Sequence, residues 1–310
     1  MRKLILLTVL IALAAWRLWP LPDAVIPTGT ALPEAQAPAG LRFALIKTGE
    51  ATTLEAMVVA DGGLFRPTRI GHIAVLVEHP QGHFLFDAGL GTQVDQQFGE
   101  EMSFWAKPIF AFKHVNPAIS QLQAAGIEAP PRIFLSHAHW DHASALGDFP
   151  QAEIWLPTAE RETTQHGHPP AFLPSQLNRA DTRWHPFSFD GPAYAGFAAS
   201  LDLFGDGSAV LLPLPGHTAG STGLLLSLAD GHRYFFVGDT VWSHLGIDRP
   251  APKFSVSSLI VDADRDATWQ AVLKIRALRD ANPGLIIVPA HDSSVHDQLG
   301  YFPQFVGEAH

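Results

Sequence analysis

The stretch Ser136-His137-Ala138-His139-Trp140-Asp141-His142 constrains this chain most, because it sets four imidazole or carboxylate donors within six consecutive positions. Donors of these types at this density match the ligand chemistry of zinc and similar divalent ions. The approach, Arg132-Ile133-Phe134-Leu135-Ser136, reads as a short buried strand. The exit, Ala143-Ser144-Ala145-Leu146, reads as the start of a helix. Alternation along an extended segment would direct His137, His139 and Asp141 to one side. His142 would then turn towards a neighbouring position as the chain enters the helix.

Three later segments offer further donors. Leu214-Pro215-Gly216-His217-Thr218-Ala219-Gly220-Ser221 follows the apolar run Ala209 to Leu212, and Phe235-Phe236-Val237-Gly238-Asp239-Thr240 ends a β-rich run with one carboxylate. Leu285-Ile286-Ile287-Val288-Pro289-Ala290-His291-Asp292 does the same with a histidine. Each polar residue falls just past an apolar run, where glycine or proline breaks strand pairing. Loops at strand ends, held by a rigid scaffold, are where catalytic groups commonly sit.

The motifs His137-Ala138-His139-Trp140-Asp141-His142, Pro215-Gly216-His217-Thr218, Gly238-Asp239-Thr240 and Ala290-His291-Asp292, with Phe84-Leu85-Phe86-Asp87-Ala88-Gly89 before them, resemble the metallo-β-lactamase superfamily. The resemblance runs from about Leu41 to about His296. It implies an α/β (α+β) fold, a four-layer αββα sandwich with metals at one edge between the sheets. It further implies two metal ions, Zn2+ or another divalent ion. His137, His139 and His217 would hold the first, Asp141, His142 and His291 the second, and Asp239 would bridge them. Asp87 would orient a ligand from behind, or simply form a turn before Gly89. Such a centre hydrolyses its substrate with a metal-held hydroxide, and Asp141, a ligand as well, is the carboxylate placed to move the proton.

Composition narrows the choice. The chain has no Cys, which excludes branches of the family with a cysteine ligand. His139 stands where the diiron oxygen-reducing relatives carry Glu, which disfavours redox chemistry. Lys+Arg 20 against Asp+Glu 30 gives a formal charge of −10 with no basic run, so a nucleic-acid partner is not expected. The residues after His291 hold no Lys or Arg, unlike the basic extension of hydroxyacylglutathione hydrolases. The complete set with Asp239 most resembles the N-acyl-homoserine lactone lactonases and related ester hydrolases. A small-molecule ester, lactone or related acyl compound is therefore the expected substrate. A β-lactamase is the enzyme alternative, and a metal-binding scaffold without turnover the alternative from another class.

One position departs from the lactonase pattern. Trp242 stands where the well-known lactonases have a Tyr, so the substrate oxyanion would depend more on the metals or on nearby His244. Phe98, Phe104, Trp105, Ile109, Phe110 and Phe112 would line an apolar pocket or lid, or else form a core helix or a homodimer interface. Asp61-Gly62-Gly63-Leu64-Phe65-Arg66-Pro67 reads as a loop overhanging the site, with Phe65 as a substrate contact. His166, His168, Pro169 and Pro170 read as a surface insertion that supplies no ligands.

Met1-Arg2-Lys3 followed by Leu4 to Trp16, apolar or small apart from Thr8, is an export pattern. Residues 1–19 are read as a cleaved signal or a retained anchor, with membrane attachment through residues 4–19 and an exported, periplasmic or tethered enzyme. The Pro- and Ala-containing stretch 20–40 reads as an extended linker. Residues 41–310 form one catalytic domain. Strands are expected at Ile73–Val77, His83–Phe86, Arg132–Ser136, Glu153–Leu156, Val210–Leu214, Leu224–Leu228, Tyr234–Val237 and Leu285–Val288. Helices are expected at Pro117–Ala125, Thr158–Thr164 and Ala267–Ala281.

Overall fold

The computed structural model describes residues 23–307; the expected signal or anchor, and the first residues of the expected linker, lie outside them. Among the described residues, no helix is long and apolar enough to cross a membrane. Two sheets form the centre of the molecule. The first has six strands in the order β1 (Arg42–Leu54), β2 (Pro67–His79), β3 (Gly82–Phe86), β4 (Arg132–Phe134), β5 (Glu153–Pro157) and β6 (Arg183–Phe187). The second has five: β7 (Leu201–Asp202) at one edge, then β8 (Ala209–Pro213), β9 (Thr222–Ser227), β10 (Arg233–Phe236) and β11 (Leu285–Val288).

Side-chain alternation builds the layers. In β1, Phe43 and Leu45 face inwards with Val75, Val77, Phe84 and Phe134, and meet Leu211, Leu224, Leu226 and Phe236 of the second sheet. Their alternates Ile46, Leu76, Leu85, Ile133 and Ile154 turn outwards onto the helix Ala118–Ala124 and the segment around Leu146. The outer face of the second sheet, including Val210, Leu212, Leu225, Phe235 and Ile287, is covered by Trp269, Val272, Ile275 and Leu278 of the helix Arg265–Ala281. Two sheets packed face to face with helices outside are the αββα sandwich.

The segment Asp23–Gly40 has no helix or strand, yet it is no free spacer. Gly29 crosses so close to the Arg265–Ala281 helix that a Cβ there would lie 2.0 Å from the Ala277 carbonyl oxygen. Leu32 is buried with the outer core, and its N–H donates to Asn282 Oδ1 at 2.9 Å. The segment is a strap laid on the second sheet's helix, pinned by that buried leucine and by the Asn282 amide, which also donates to the Thr30 carbonyl at 3.0 Å.

β4, β10 and β11 all end at the same edge of the sandwich. There β4 hands over to the loop 135–139 and the helix Trp140–Ala143, β10 to the turn Gly238–Thr240, and β11 to His291. The helix begins at Trp140, so the alternation expected to run through Asp141 stops at His139.

Candidate metal centre

The loops at this edge bring His137, His139, Asp141, His142, His217, Asp239 and His291 together, all of them buried or nearly so. Candidate ligand atoms of His137, His139 and His217 lie within 4.8 Å of one another, as do those of His137, His142 and Asp239. Asp239 sits between the halves: Oδ2 is 3.6 Å from His217 Nε2, and Oδ1 is 3.3 Å from His142 Nε2 and 3.1 Å from His291 Nε2. Asp141 Oδ2 is 3.3 Å from His291 Nε2 and 3.9 Å from His142 Nε2.

Four of these histidines are fixed through the ring nitrogen that faces away from the cluster. His142 Nδ1 donates to Asp87 Oδ2 at 2.8 Å, and His217 Nδ1 meets Asp262 Oδ1 at 2.7 Å. His291 Nδ1 donates to the Gly71 carbonyl at 2.8 Å, and His137 Nδ1 lies 3.0 Å from Ser136 Oγ. Because Ser136 Oγ gives its own proton to Asp87 Oδ2, it can accept from His137. With Nδ1 carrying the proton, each Nε2 keeps its lone pair for the centre.

The donor set fits divalent cations. His137 Nε2 and His217 Nε2 stand 3.1 Å apart, and two imidazole lone pairs at that distance repel unless positive charge lies between them. His142 Nε2 and Asp239 Oδ1 are buried without a hydrogen-bond partner. Burial, reinforced by the neighbouring imidazoles, holds His137 and His139 well below the usual histidine range, so both are neutral. Burial also disfavours charge on His142 and His291, but carboxylates override it: Asp87, Asp141 and Asp239 raise His142, and Asp239 and Asp141 raise His291. The carboxylates thus demand cationic charge here, which bound metal supplies while displacing the histidine protons.

Several supporting residues were not singled out by the sequence. His72, in the apolar run of β2, places Nδ1 3.1 Å from Asp141 Oδ2, and together with His291 it forms a third compact donor group. Asp141 stays ionised, since His142, His72 and His291 outweigh the burial that would raise it, so His72 must donate that bond. Buried Lys253 reaches Asp262 Oδ1 at 2.7 Å behind His217. Buried Glu160 accepts from Ala138 N–H at 2.7 Å, Thr218 Oγ at 2.6 Å and Gly220 N–H at 3.1 Å, clamping two of the loops together. Gly216, at φ +138°, lets the chain pass where a Cβ would come 2.3 Å from Thr268 N.

Above the cluster lies a cavity of about 110 Å³, with Trp242 beside Asp239 and apolar walls that include Met57, Val58, Phe110, Ile260 and Val261. Of the expected substrate contacts, Trp242 lines it, and its Nε1–H donates to Asp239 Oδ2 at 2.7 Å. That bond uses the one donor the indole has. His244 does not line the cavity; Asp292 takes both its backbone N–H, at 2.6 Å, and Nδ1, at 2.7 Å. Phe65, Phe104 and Trp105 are exposed outside the cavity wall. The overhanging hairpin contributes Met57 and Val58 instead of Phe65, and the aromatic stretch contributes Ile109 and Phe110. Phe98 and Phe112 pack on Trp140, with ring centroids at 5.1 and 5.7 Å. The insertion around His168 is more than surface: Pro170 and Ala171 line the cavity, and Phe172 stands edge-on to His139 at 4.8 Å.

The chain is similar to a probable metallo-hydrolase of Mycobacterium tuberculosis, 28% identical over 237 residues, which cover 72% of this chain and 74% of that one. It is similar to the N-acyl homoserine lactonase AttM of Azorhizobium caulinodans, 25% identical over 70% of this chain and 80% of the relative. Among solved structures, a B. thuringiensis AiiA variant with N-decanoyl-L-homoserine bound at the active site superposes with a TM-score of 0.67 at 17% identity, over 86% of this chain and 98% of the other. The dizinc quorum-quenching lactonase AidC superposes with a TM-score of 0.59 at 18% identity, over 87% and 92%. At those identities the superpositions speak for the fold. The model of the metallo-beta-lactamase superfamily matches residues 68–291, and the chain belongs to that superfamily.

Proposed function

We propose that this metal-dependent hydrolase holds two zinc ions and uses them to open lactones or cleave esters of apolar acyl groups. The observation that carries the reading is Asp239: its Oδ2 faces His217, its Oδ1 faces His142, and His291 Nε2 lies 3.1 and 3.2 Å from the two oxygens, so one carboxylate reaches both groups of histidines and would be shared by two ions. His137, His139 and His217 would hold one ion, and Asp141, His142 and His291 the other. Bound there, the pair supplies an ionised water near neutral pH and polarises the substrate carbonyl. The likeness to AttM and AidC supports an acyl ester or lactone as substrate.

The chain's own groups do the rest. Asp141, at the cavity floor and held by the His72 N–H, can take a proton from the nucleophile and return it to the departing alkoxide. Trp242 has no free donor for the developing oxyanion, since Asp239 takes its indole N–H, and His244 lies outside the cavity wall. The largely apolar wall is what would position the substrate, which suits esters of varied alcohol. Export, with residues 4–19 as signal or anchor, is part of the same proposal and follows from the apolar leader.

Metal analysis of the purified chain, followed by a panel of acyl-homoserine lactones, simple esters and β-lactams, tests this. Two ions per chain with turnover of esters or lactones is the expected result. One ion or none, or turnover of β-lactams alone, would overturn it.

A further inference from the structure

Among the described residues, the exposed large hydrophobics are confined to two places. Val25 and Ile26 lie at the start of the strap; the others sit on three segments around the cavity mouth. The tip of the β1–β2 hairpin carries Leu54 and Phe65, the latter 89% exposed. The segment 103–110 carries Phe104, Trp105 and Ile109, with Phe104 at 87%. The helix Ser255–Val261 carries Val256 and Leu259, the latter at 67%. Ile109 and Val256 are exposed and also line the cavity, so they mark its rim.

These segments form one surface. Ser257 Oγ donates to the Met57 carbonyl, and Ala60 N–H to the Pro252 carbonyl, tying the helix and its lead-in to the hairpin. Glu50 and Lys113 exchange backbone hydrogen bonds, tying the 103–113 run to β1. A monomer in water rarely gathers its large exposed side chains around one opening.

We propose that the cavity mouth is a lipid-docking face, with Phe65, Phe104 and Leu259 inserted among acyl chains and Trp105 at the headgroup level. The position of the N-terminus argues for a bilayer over a protein partner. Trp269, one turn into the helix that follows Ser255–Val261, donates its indole N–H to the Asp23 carbonyl. The described chain therefore starts against the helix that follows the docking helix, eight residues of chain past Val261, with at most about 25 Å of extended chain between Trp16 and Asp23. A membrane that takes up the apolar run Leu4–Trp16 lies within reach of the rim. Exposed aromatic and branched side chains at such a surface add to an anchor that is short for a full span. The net charge of −10 makes the attachment one of apolar insertion and not of attraction to anionic lipid. Resting on the hydrolase reading, the same face would admit long-chain esters directly from the bilayer.

The absence of cysteine allows a direct test on the full chain in phosphatidylcholine vesicles. Phe65→Cys, Phe104→Cys and Leu259→Cys would each carry a polarity-sensitive fluorophore. Glu128→Cys and Asp230→Cys, exposed at the opposite ends of β4 and β10, are the controls. Rim labels should shift to the blue and be quenched by brominated lipid at least about twofold more than the controls. Equal quenching at rim and control sites overturns the proposal. So does a rim label shielded from water but untouched by brominated lipid, with self-quenching that grows with protein density, which identifies a second copy as the occupant. These readouts need no turnover, so they stand apart from the reaction. Given turnover, Phe65→Ser/Phe104→Ser/Leu259→Ser should lower the ratio of vesicle-borne to dissolved ester hydrolysis about tenfold; an unchanged ratio would refute delivery through the bilayer.

Discussion

Asp87→Asn is the sharpest probe of the metal centre, because it changes one buried atom and leaves shape intact. Asp87 is buried at φ 60°, a conformation that Asn tolerates well. Its carboxylate accepts from Ser136 N–H at 2.7 Å, Ser136 Oγ at 2.8 Å and His142 Nδ1 at 2.8 Å. In the variant, the amide oxygen keeps the Ser136 N–H bond, and Ser136 Oγ can turn to accept. The amide NH2 then faces the His142 Nδ1–H, donor against donor. The imidazole escapes by moving its proton to Nε2, the atom that faces Asp239 at 3.3 Å and is wanted for metal. Loss of such an orienting partner typically costs 10–100-fold in metal affinity, about 1.4–2.7 kcal/mol. A zinc titration against a chromogenic chelator should therefore show one site near wild-type strength and the His142 site weakened by that factor. The metal-free variant should also be less stable, by about 1–3 kcal/mol in guanidinium melts. If both sites keep wild-type affinity, the assignment of His142 as a ligand through Nε2 is wrong.

Chelation should lower Tm and abolish turnover together, with zinc restoring both, because ions bound only to the folded chain stabilise it by mass action; a Tm indifferent to chelator would count against a structural share for the metals. Trp242→Phe removes the 2.7 Å bond to Asp239 but keeps an aromatic ring in the cavity wall, so kcat/KM should fall less than about tenfold, and a loss beyond a hundredfold would show that the indole N–H reaches the substrate. Gly216→Ala forces a Cβ against Thr268 N and should destabilise by about 1–3 kcal/mol while displacing His217, read as a joint loss of Tm and zinc affinity. His296 donates Nε2–H to the Pro289 carbonyl, and burial lowers it to about 4. An unfolded histidine takes up its proton below about pH 6.5, so stability is lost as pH falls from there towards 4, by up to about 3 kcal/mol from this residue. Metal-free His296→Gln should show a correspondingly flatter pH profile, and an unchanged slope would refute the assignment.

Strands that carry unbroken apolar runs were legible because they are buried on both faces, as β9 and β10 are, and the helix Arg265–Ala281 because its stripe repeats every three to four residues. β6, Arg183–Phe187, escaped notice because Pro186 reads as a strand breaker; it is tolerated since β6 is the sheet's edge. β1 gives no strand signal because its second half, Glu50 to Leu54, is largely polar and partly exposed. The loop with Phe65 at its tip does overhang the site, but the residues reaching the cavity from it are Met57, whose carbonyl is tied to Ser257 of the helix Ser255–Val261, and Val58, which local sequence cannot reveal.

The metal centre shows the same division more sharply. Its candidate ligands announce themselves because they follow strands, directly or, for Asp141 and His142, through a short loop into a helix, and carry ligand chemistry. Of the groups that aim them, Asp87 is signalled by the early strand that ends in Asp and a glycine turn, but Asp262, 45 residues from His217, and Gly71, 220 from His291, are not, because their partners are distant in sequence. Their identities are also unremarkable. A backbone carbonyl meets His291 at 2.8 Å much as a carboxylate meets His217 at 2.7 Å, and Gly71 as a residue type predicts nothing of the kind. What selects these residues is the shared edge of two sheets, which fixes Nδ1 of four rings, those of His137, His142, His217 and His291, and leaves their Nε2 directed inwards. Aim is thus a property of the sandwich and donor chemistry a property of the loops. Substitutions at Asp87 or Asp262 should accordingly weaken metal binding while the packing of Phe43, Phe84 and Phe236 between the sheets stays intact.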